Sequence, residues 1–247
     1  MKEADNMENE ANKNSVSLPQ IQFSLSAPEG KEFLLAAGGR PPEKTWLRRT
    51  AEHRTLWAID RGLESFFAAG LVPEQLIGDG DSASPEAWKK ALSICIPVER
   101  FPSEKDYTDT DLALKKIKAD NPSAFIILTG GFGGRFDHAF TTMYSLLSSG
   151  LSGCLADEKE CLILLNGSSS VEAHCLKRPK AVSLLPLSPM VRGVSFSGVR
   201  WPLDNTSISQ DRTLTVSNRL ADDSDGCRLS FSEGSLGLYF VWDEASL

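Results

Sequence analysis

The sequence predicts an α/β domain built on a parallel sheet, followed by a smaller all-β sandwich domain. Three observations carry this reading. From Glu32 to about residue 150, short continuously apolar runs alternate with helical stretches, the pattern of strands covered on both faces. Those runs stop at Gly or Asp. After Gly150 helical periodicity largely disappears, and short runs punctuated by Gly, Ser, Pro and Asp take its place. The predicted boundaries are a loosely ordered polar tail over 1–30, the α/β domain over 31–155 and the sandwich over 160–247.

The tail prediction rests on composition. Residues 1–30 are rich in Asn, Glu, Lys and Ser and offer little apolar surface to offset the entropy of ordering. Phe33-Leu34-Leu35-Ala36-Ala37 then reads as a strand ending at Gly38-Gly39, with a helix from Pro41-Pro42 through His53. Thr55 to Ile59 is the next strand, stopping at Asp60-Arg61-Gly62, and a helix runs through Ala69. Gln75-Leu76-Ile77 leads into Gly78-Asp79-Gly80-Asp81. Ser84-Pro85 reads as an N-cap followed by proline at the first helical position. Ser93 to Pro97 is a further short run. Ala124 to Thr129 is the clearest strand, and a helix through Leu147 follows its glycines. In the second domain the runs lie near 161–165, 181–187, 191–196, 212–217, 227–231 and 236–242. Asp211 to Ser217 alternates at period two.

Charge narrows the function. Lys plus Arg number 26 against 33 Asp plus Glu, a net of −7. Such a balance argues against a general nucleic-acid binder or a polybasic membrane surface. No apolar run approaches a membrane span, and the polar start has no signal-peptide core. The five cysteines are odd in number and scattered, without a CxxC pair, so they read as reduced residues of a cytoplasmic protein. The spacing of the three histidines suggests no zinc site.

The acids carry the chemistry. Asp60, Asp79, Asp81, Asp106, Asp109 and Asp137 all fall at or just after predicted strand ends, where open α/β sheets bind ligands. Carboxylates converging there repel each other without a cation, and hard oxygen donors suit Mg²⁺ between protein and phosphate. Gly78-Asp79-Gly80-Asp81-Ser82 fits both a polar turn and a carboxylate pair on one side of an extended segment. Thr108 with Asp111 fits a capping box, which leaves Asp106 and Asp109 unexplained by the cap. Lys105 is either a solvated charge or a phosphate contact. Gly130-Gly131-Phe132-Gly133-Gly134-Arg135 precedes a helix, so its backbone N–H groups offer an anion site, to which Arg135 adds a two-point phosphate contact. His138 is open between general base, helix cap and packing.

Taken in order, Gly78-Asp79-Gly80-Asp81-Ser82, Lys105-Asp106-x-Thr108-Asp109 and Gly133-Gly134-Arg135-x-Asp137-His138 resemble the three motifs of the thiamine pyrophosphokinase family. Gly198-Val199-Arg200-Trp201-Pro202-Leu203 and Val216-Ser217-Asn218 resemble that family's two β-domain signatures. Asp60-Arg61-Gly62 resembles its strand-end turn, with Arg61 where Gly is usual. Gly80 replaces the aromatic residue common between the two acids.

The resemblance implies transfer of the pyrophosphoryl group of ATP to thiamine, releasing AMP, by a homodimer whose sites combine one subunit's α/β domain with its partner's β domain. It implies that Asp79, Asp81, Asp109 and Asp137 surround Mg²⁺ and the triphosphate. Asp60, Lys105, Asp106, Gly133, Gly134, Arg135 and His138 would line the nucleotide. Ser217, Asn218 and Trp201 would meet thiamine together with Asp109, the first choice for the group that orients or deprotonates the hydroxyl. Two alternatives stand beside this: a pyrophosphokinase acting on another alcohol, such as a hydroxymethylpterin, and a non-catalytic nucleotide- or thiamine-binding module.

Overall fold

The structure, a computed structural model, describes residues 14–26, 29–80, 82–100 and 107–242. The chain divides into two compact units. One is Lys31–Ile163; the other joins the described residues up to Gly30 with those from Leu164 onward.

The first unit is a parallel sheet with helices between its strands. In chain order these are β3 (Glu32–Ala36), α1 (Lys44–Ala51), β4 (Thr55–Ile59), α2 (Gly62–Ala68), β5 (Gln75–Ile77), α3 (Pro85–Ser93), β6 (Val98–Glu99), α4 (Asp109–Asp120), β7 (Phe125–Thr129), α5 (Phe136–Ser148) and β8 (Ser152–Ala156). The strands lie in the order β8-β7-β3-β4-β5-β6, each pair parallel. Every residue of β7 is buried, as a strand sandwiched between helices requires. From β3 the chain first works outward to β6, then returns to place β7 on the other side of β3. That reversal puts a crevice at the carboxyl ends of β3 and β7, the place where open sheets of this kind bind ligands. Local signals set the helix starts. Ser84 Oγ accepts from Ala87 N at 3.3 Å with Pro85 next. Thr108 and Asp111 form a reciprocal capping box.

The second unit is antiparallel. Its strands are β1 (Asn14–Leu18), β2 (Ile21–Leu25), β10 (Ser169–Cys175), β11 (Ala181–Pro186), β12 (Met190–Ser197), β13 (Leu203–Ser209), β14 (Gly226–Phe231) and β15 (Ser235–Val241). One sheet has the order β1-β2-β10-β14-β12-β13, and β11 pairs antiparallel with β15 outside it. Strand β9 (Glu160–Asn166) carries the chain from the first unit into this one.

Three sequence expectations need correction. Residues 14–25 are not a loose tail: β1 and β2 form a hairpin, and β2 pairs with β10 from Val171↔Leu25 to Cys175↔Ile21. Val16, Leu18, Ile21, Phe23 and Leu25 are buried. Average composition over thirty residues hid this two-residue alternation. Residues 211–217, read as a strand, form turns, with Leu214 81% and Val216 52% exposed. The alternation there leaves its apolar side chains outside the core. The run at Ser93–Pro97 is helix end and turn, with Cys95 at φ +57°, and the edge strand is Val98–Glu99. All five cysteines are free thiols, and only Cys95 is exposed. Among the described residues no helix is long and apolar enough to cross a membrane.

Candidate active site

Three carboxylates gather at the carboxyl end of the parallel sheet. Asp60 follows β4 in a left-handed conformation, φ +45°. Its Oδ1 accepts from Gly80 N at 3.4 Å, and its side chain shares a hydrogen bond with Asp109, the first residue of α4. A Cβ at Gly78 would fall 1.8 Å from that same Oδ1, so only glycine leaves room for the carboxylate over the β5 turn. Burial, then the hydrogen bond and charge of Asp109, with the charge of Asp79 further off, push the Asp60 carboxyl up to about 7. Such mutual repulsion is what a bound divalent cation would relieve, and hard carboxylate oxygens are the donors Mg²⁺ takes. Among the described residues no three acidic, His or Cys side chains stand in ligating geometry. Asp81, Lys105 and Asp106 lie outside the described residues. The acids therefore fit the cation, but the described ones do not form its finished cage.

The glycine-rich loop after β7 is tied to the loop after β3. Gly39 N donates to Gly130 O at 2.8 Å and Arg40 N to Phe132 O at 2.7 Å. Arg40 Cβ lies 2.8 Å from where a Cβ at Gly133 would sit, and its guanidinium packs 5.9 Å from the Phe132 ring centre. That guanidinium is anchored behind the loop. Its Nε and Nη2 donate to Asp157 Oδ2 at 3.0 and 2.5 Å, and Nη2 also reaches Glu160. Asp157 is 1% exposed; burial raises its carboxyl even though Arg40 pulls it down. Its other oxygen accepts from Lys159 N and Glu160 N. The sequence reading missed Arg40 and Asp157, because neither stands in a motif. The only signal was an arginine directly after Gly38-Gly39.

Gly133 and Gly134 lead into α5, where Arg135 and Asp137 are both exposed and paired, Nη2 to Oδ2 at 2.6 Å. The hydrogen bond from Arg135 holds the Asp137 carboxyl below its usual range. Asp137 also accepts from His138 N at 3.0 Å. So the structure engages Asp137 with Arg135, whereas Asp60, Asp79 and Asp109 share their own cluster. The His138 side chain is exposed.

In the β unit, Trp201, Pro202, Leu203, Leu214, Val216 and Asn218 line a cavity of about 120 Å³ with Leu184, Phe196 and Thr215. Trp201 is 57% exposed, so its ring is presented rather than packed in the core. The Asn218 amide clamps the Trp201 peptide: Nδ2 donates to Trp201 O at 2.8 Å, and Oδ1 accepts from Trp201 N at 3.2 Å. Asn218, read from sequence as a substrate contact, thus spends its amide on holding the Trp201 corner. Ser217 has φ +62°, is exposed, and donates its N–H to Ser183 Oγ at 2.9 Å.

Two family models match the chain: the thiamin pyrophosphokinase catalytic domain over residues 47–154 and the thiamin pyrophosphokinase vitamin B1 binding domain over residues 173–236. The chain belongs to the thiamin pyrophosphokinase family. The thiamine pyrophosphokinase of Bacillus subtilis (strain 168) is 29% identical over 195 residues, 77% of this chain and 90% of that one. The crystal structure of thiamine pyrophosphokinase from Bacillus subtilis superposes with a TM-score of 0.74 at 25% identity, over 87% of this chain and all of that one. The thiamin pyrophosphokinase of Geobacillus thermodenitrificans gives 0.71 at 28% identity, again over 87% and 100%. Asp60, Asp79, Asp109, Arg135 and Asp137 fall within the catalytic-domain match of this thiamin pyrophosphokinase family member. Trp201, Ser217 and Asn218 fall within the vitamin B1 match. Arg40, Asp157 and the β1–β2 hairpin lie outside both.

Proposed function

We infer that the chain is a thiamine diphosphokinase, transferring the pyrophosphoryl group of ATP to the hydroxyl of thiamine to give thiamine diphosphate and AMP. The observation that carries this reading is the convergence of Asp60, Asp79 and Asp109 after strands of the parallel sheet whose β7 runs into the glycine-rich loop that opens α5. The thiamine hydroxyl oxygen bonds to the β-phosphorus, the bond from that phosphorus to the bridging oxygen breaks, and AMP leaves with that oxygen. The hydroxyl proton passes to a carboxylate, for which Asp109 is our assignment.

Asp79, Asp81 and Asp109 are the residues that would hold Mg²⁺, which when bound neutralises charge on the phosphates. Asp137 joins them only by releasing Arg135. The backbone N–H groups of Gly133 and Gly134 and the guanidinium of Arg135 receive phosphate oxygens, and Lys105, Asp106 and His138 complete the nucleotide side. The cavity under Trp201 is the place for the thiamine rings, with Asn218 fixing the tryptophan, while Ser217 lines a separate pocket with Arg178, Lys180 and Arg219. The Arg200 guanidinium already lies 5.3 Å from the centre of that tryptophan ring, so a flat cationic heterocycle would use its other face.

We further assign the protein to the cytoplasm, where four buried free thiols stay reduced, and to a homodimer with composite sites. Helix α5 supports the dimer. Of its residues only Leu146 is buried, and Phe136 (80% exposed), Phe140 (47%) and Tyr144 form a row of rings 5.9 and 4.9 Å apart. A coupled assay for AMP release, with and without thiamine, tests the reaction. AMP formed only with thiamine is expected; equal release with a hydroxymethylpterin, or none with either, refutes it. Mixing Asp79→Asn with Trp201→Ala protein tests the composite site. Exchanged heterodimers should recover activity in up to about half their sites. Verified heterodimers without turnover would mean that each site is built from one chain.

A further inference from the structure

Between Asp79 and the next acid of its motif stands Gly80, at φ +83°. The position where its Cβ would lie is 3.1 Å from Trp88 Cε2, 3.1 Å from Cζ2 and 3.2 Å from Cδ2. These are three consecutive atoms of the six-membered ring. A point equally far from all three stands over the face of that ring, not off its edge. The indole of α3 therefore covers the glycine as a flat lid, and the Arg100 guanidinium lies 5.1 Å from the ring centre. The lid is itself fixed. Trp88 N donates to Ser84 O at 3.0 Å in the first turn of α3. Ser84 N in turn donates to Glu64 Oε1 at 2.8 Å on α2. The turn thus lies between the half-buried indole on one side and the Asp60 carboxylate on the other, since Gly80 N donates to Asp60 and Gly78 has the same carboxylate over its Cα.

We propose that Trp88 is a positioning residue for the Asp79 carboxylate: its ring face, closed over Gly80, holds the β5 turn in the conformation that keeps Asp79 beside Asp60 and Asp109. A side chain at residue 80 would press on the indole of residue 88 and push it back by a few tenths of an ångström, so the two positions are coupled. The glycine gives up a side chain of its own, and the neighbouring helix supplies an aromatic in its place. This deepens the proposed reaction and rests on it only for what the carboxylates hold.

The test separates positioning from turnover. Mn²⁺ binding to the full chain is followed by loss of the free-ion electron paramagnetic resonance signal, with a non-transferable α,β-methylene analogue of ATP present. Trp88→Ala should weaken Mn²⁺ binding about 10-fold, the loss typical when an outer support of a metal ligand is removed. Trp88→Phe, which keeps a flat face, should stay near the parent, while Trp88→Leu, which fills volume without one, should not. Gly80→Ala should weaken binding in the parent and much less in Trp88→Ala, because the methyl then has no ring to meet; the strain of φ +83° is common to both backgrounds and cancels.

In turnover the same variants should raise the MgATP KM more than they lower kcat. Circular dichroism and thermal unfolding establish that each variant is folded; should Trp88→Ala not fold, Trp88→Leu against Trp88→Phe decides. Equal affinities throughout, strictly additive effects of Gly80→Ala and Trp88→Ala, or no Mn²⁺ binding by the parent overturns the proposal. A parent that shows the Mn²⁺ pattern but forms no AMP with thiamine sustains the positioning role and refutes the reaction. An active parent with a flat pattern does the reverse.

Discussion

Replacing Asp157 should weaken both the first unit and its grip on ATP, by amounts that two substitutions resolve. Asp157 makes two kinds of contact. One oxygen receives Arg40 at 3.0 and 2.5 Å; the other caps the turn before β9, accepting Lys159 N at 2.8 Å and Glu160 N at 3.0 Å. Breaking a buried ion pair from one side costs about 3–5 kcal/mol. Arg40 keeps Glu160 and Asp157→Asn retains an acceptor for the turn, so this variant falls below that range, at about 2–3 kcal/mol. Asp157→Ala also leaves two backbone N–H groups without their acceptor and should cost about 1–2 kcal/mol more. For a chain of this size that is a fall in Tm of roughly 5–10 °C for the Asn variant and about 10–15 °C for the Ala variant. Arg40 is tied through its backbone to Phe132 and through its Cβ to Gly133. The Asn variant should therefore raise the ATP KM several-fold while leaving the thiamine KM nearly unchanged. Calorimetry and initial-rate kinetics on the two variants check this. An Asn variant that melts with the parent and keeps its ATP KM would show that the glycine-rich loop stands without the ion cluster behind it.

Asp79→Asn should leave the fold intact and cut turnover by on the order of 10²-fold or more, measured as AMP release at saturating Mg²⁺; near-normal activity would remove Asp79 from the site. Arg135→Lys should lose most activity, because an ammonium cannot make a planar two-point contact with phosphate; a fully active variant would make the Arg135–Asp137 pair a structural one. With divalent metal chelated, stability should fall as pH rises toward about 7, since Asp60 is raised from 3.8 to about 7 and the folded chain then binds more protons than the unfolded one. After allowance for its partial exposure the loss is about 2 kcal/mol, and Asp60→Asn should abolish that slope in denaturant titrations across the pH range. An unchanged slope would mean that Asp60 is not raised.

The parallel half was legible because its signals are local. A run such as Phe125 to Thr129, buried at every position, can be read without knowing its neighbours, and the Thr108–Asp111 box announces its own helix start. Asp60 and Asp79 were legible as acids directly after strand ends, whereas Asp109 opens α4, where an acid also suits the helix dipole. What could not be read depends on distant partners. The hairpin at 14–25 is a strand pair only because β10 supplies its third neighbour. The alternation at 211–217 is as regular as that of a strand, yet Leu214 and Val216 stay exposed. Arg40 and Trp88 carry no motif at all; their roles come from what lies beside them, Asp157 and Gly133 in one case and Gly80 in the other.

The β1–β2 hairpin also sets an order of events during synthesis. Ser26, at its end, donates its N–H to Ser170 O across 144 positions of sequence. The whole first unit is spliced into the chain between those partners. The hairpin therefore leaves the ribosome before the first unit and waits for β10 on the order of ten seconds at ordinary elongation rates. Through that interval Phe23 and Leu25 have no sheet to cover them, and an unpaired strand edge is the element most open to wrong association. A chain that starts beyond residue 26 would avoid that wait, but would leave the β10 edge uncovered in the finished molecule.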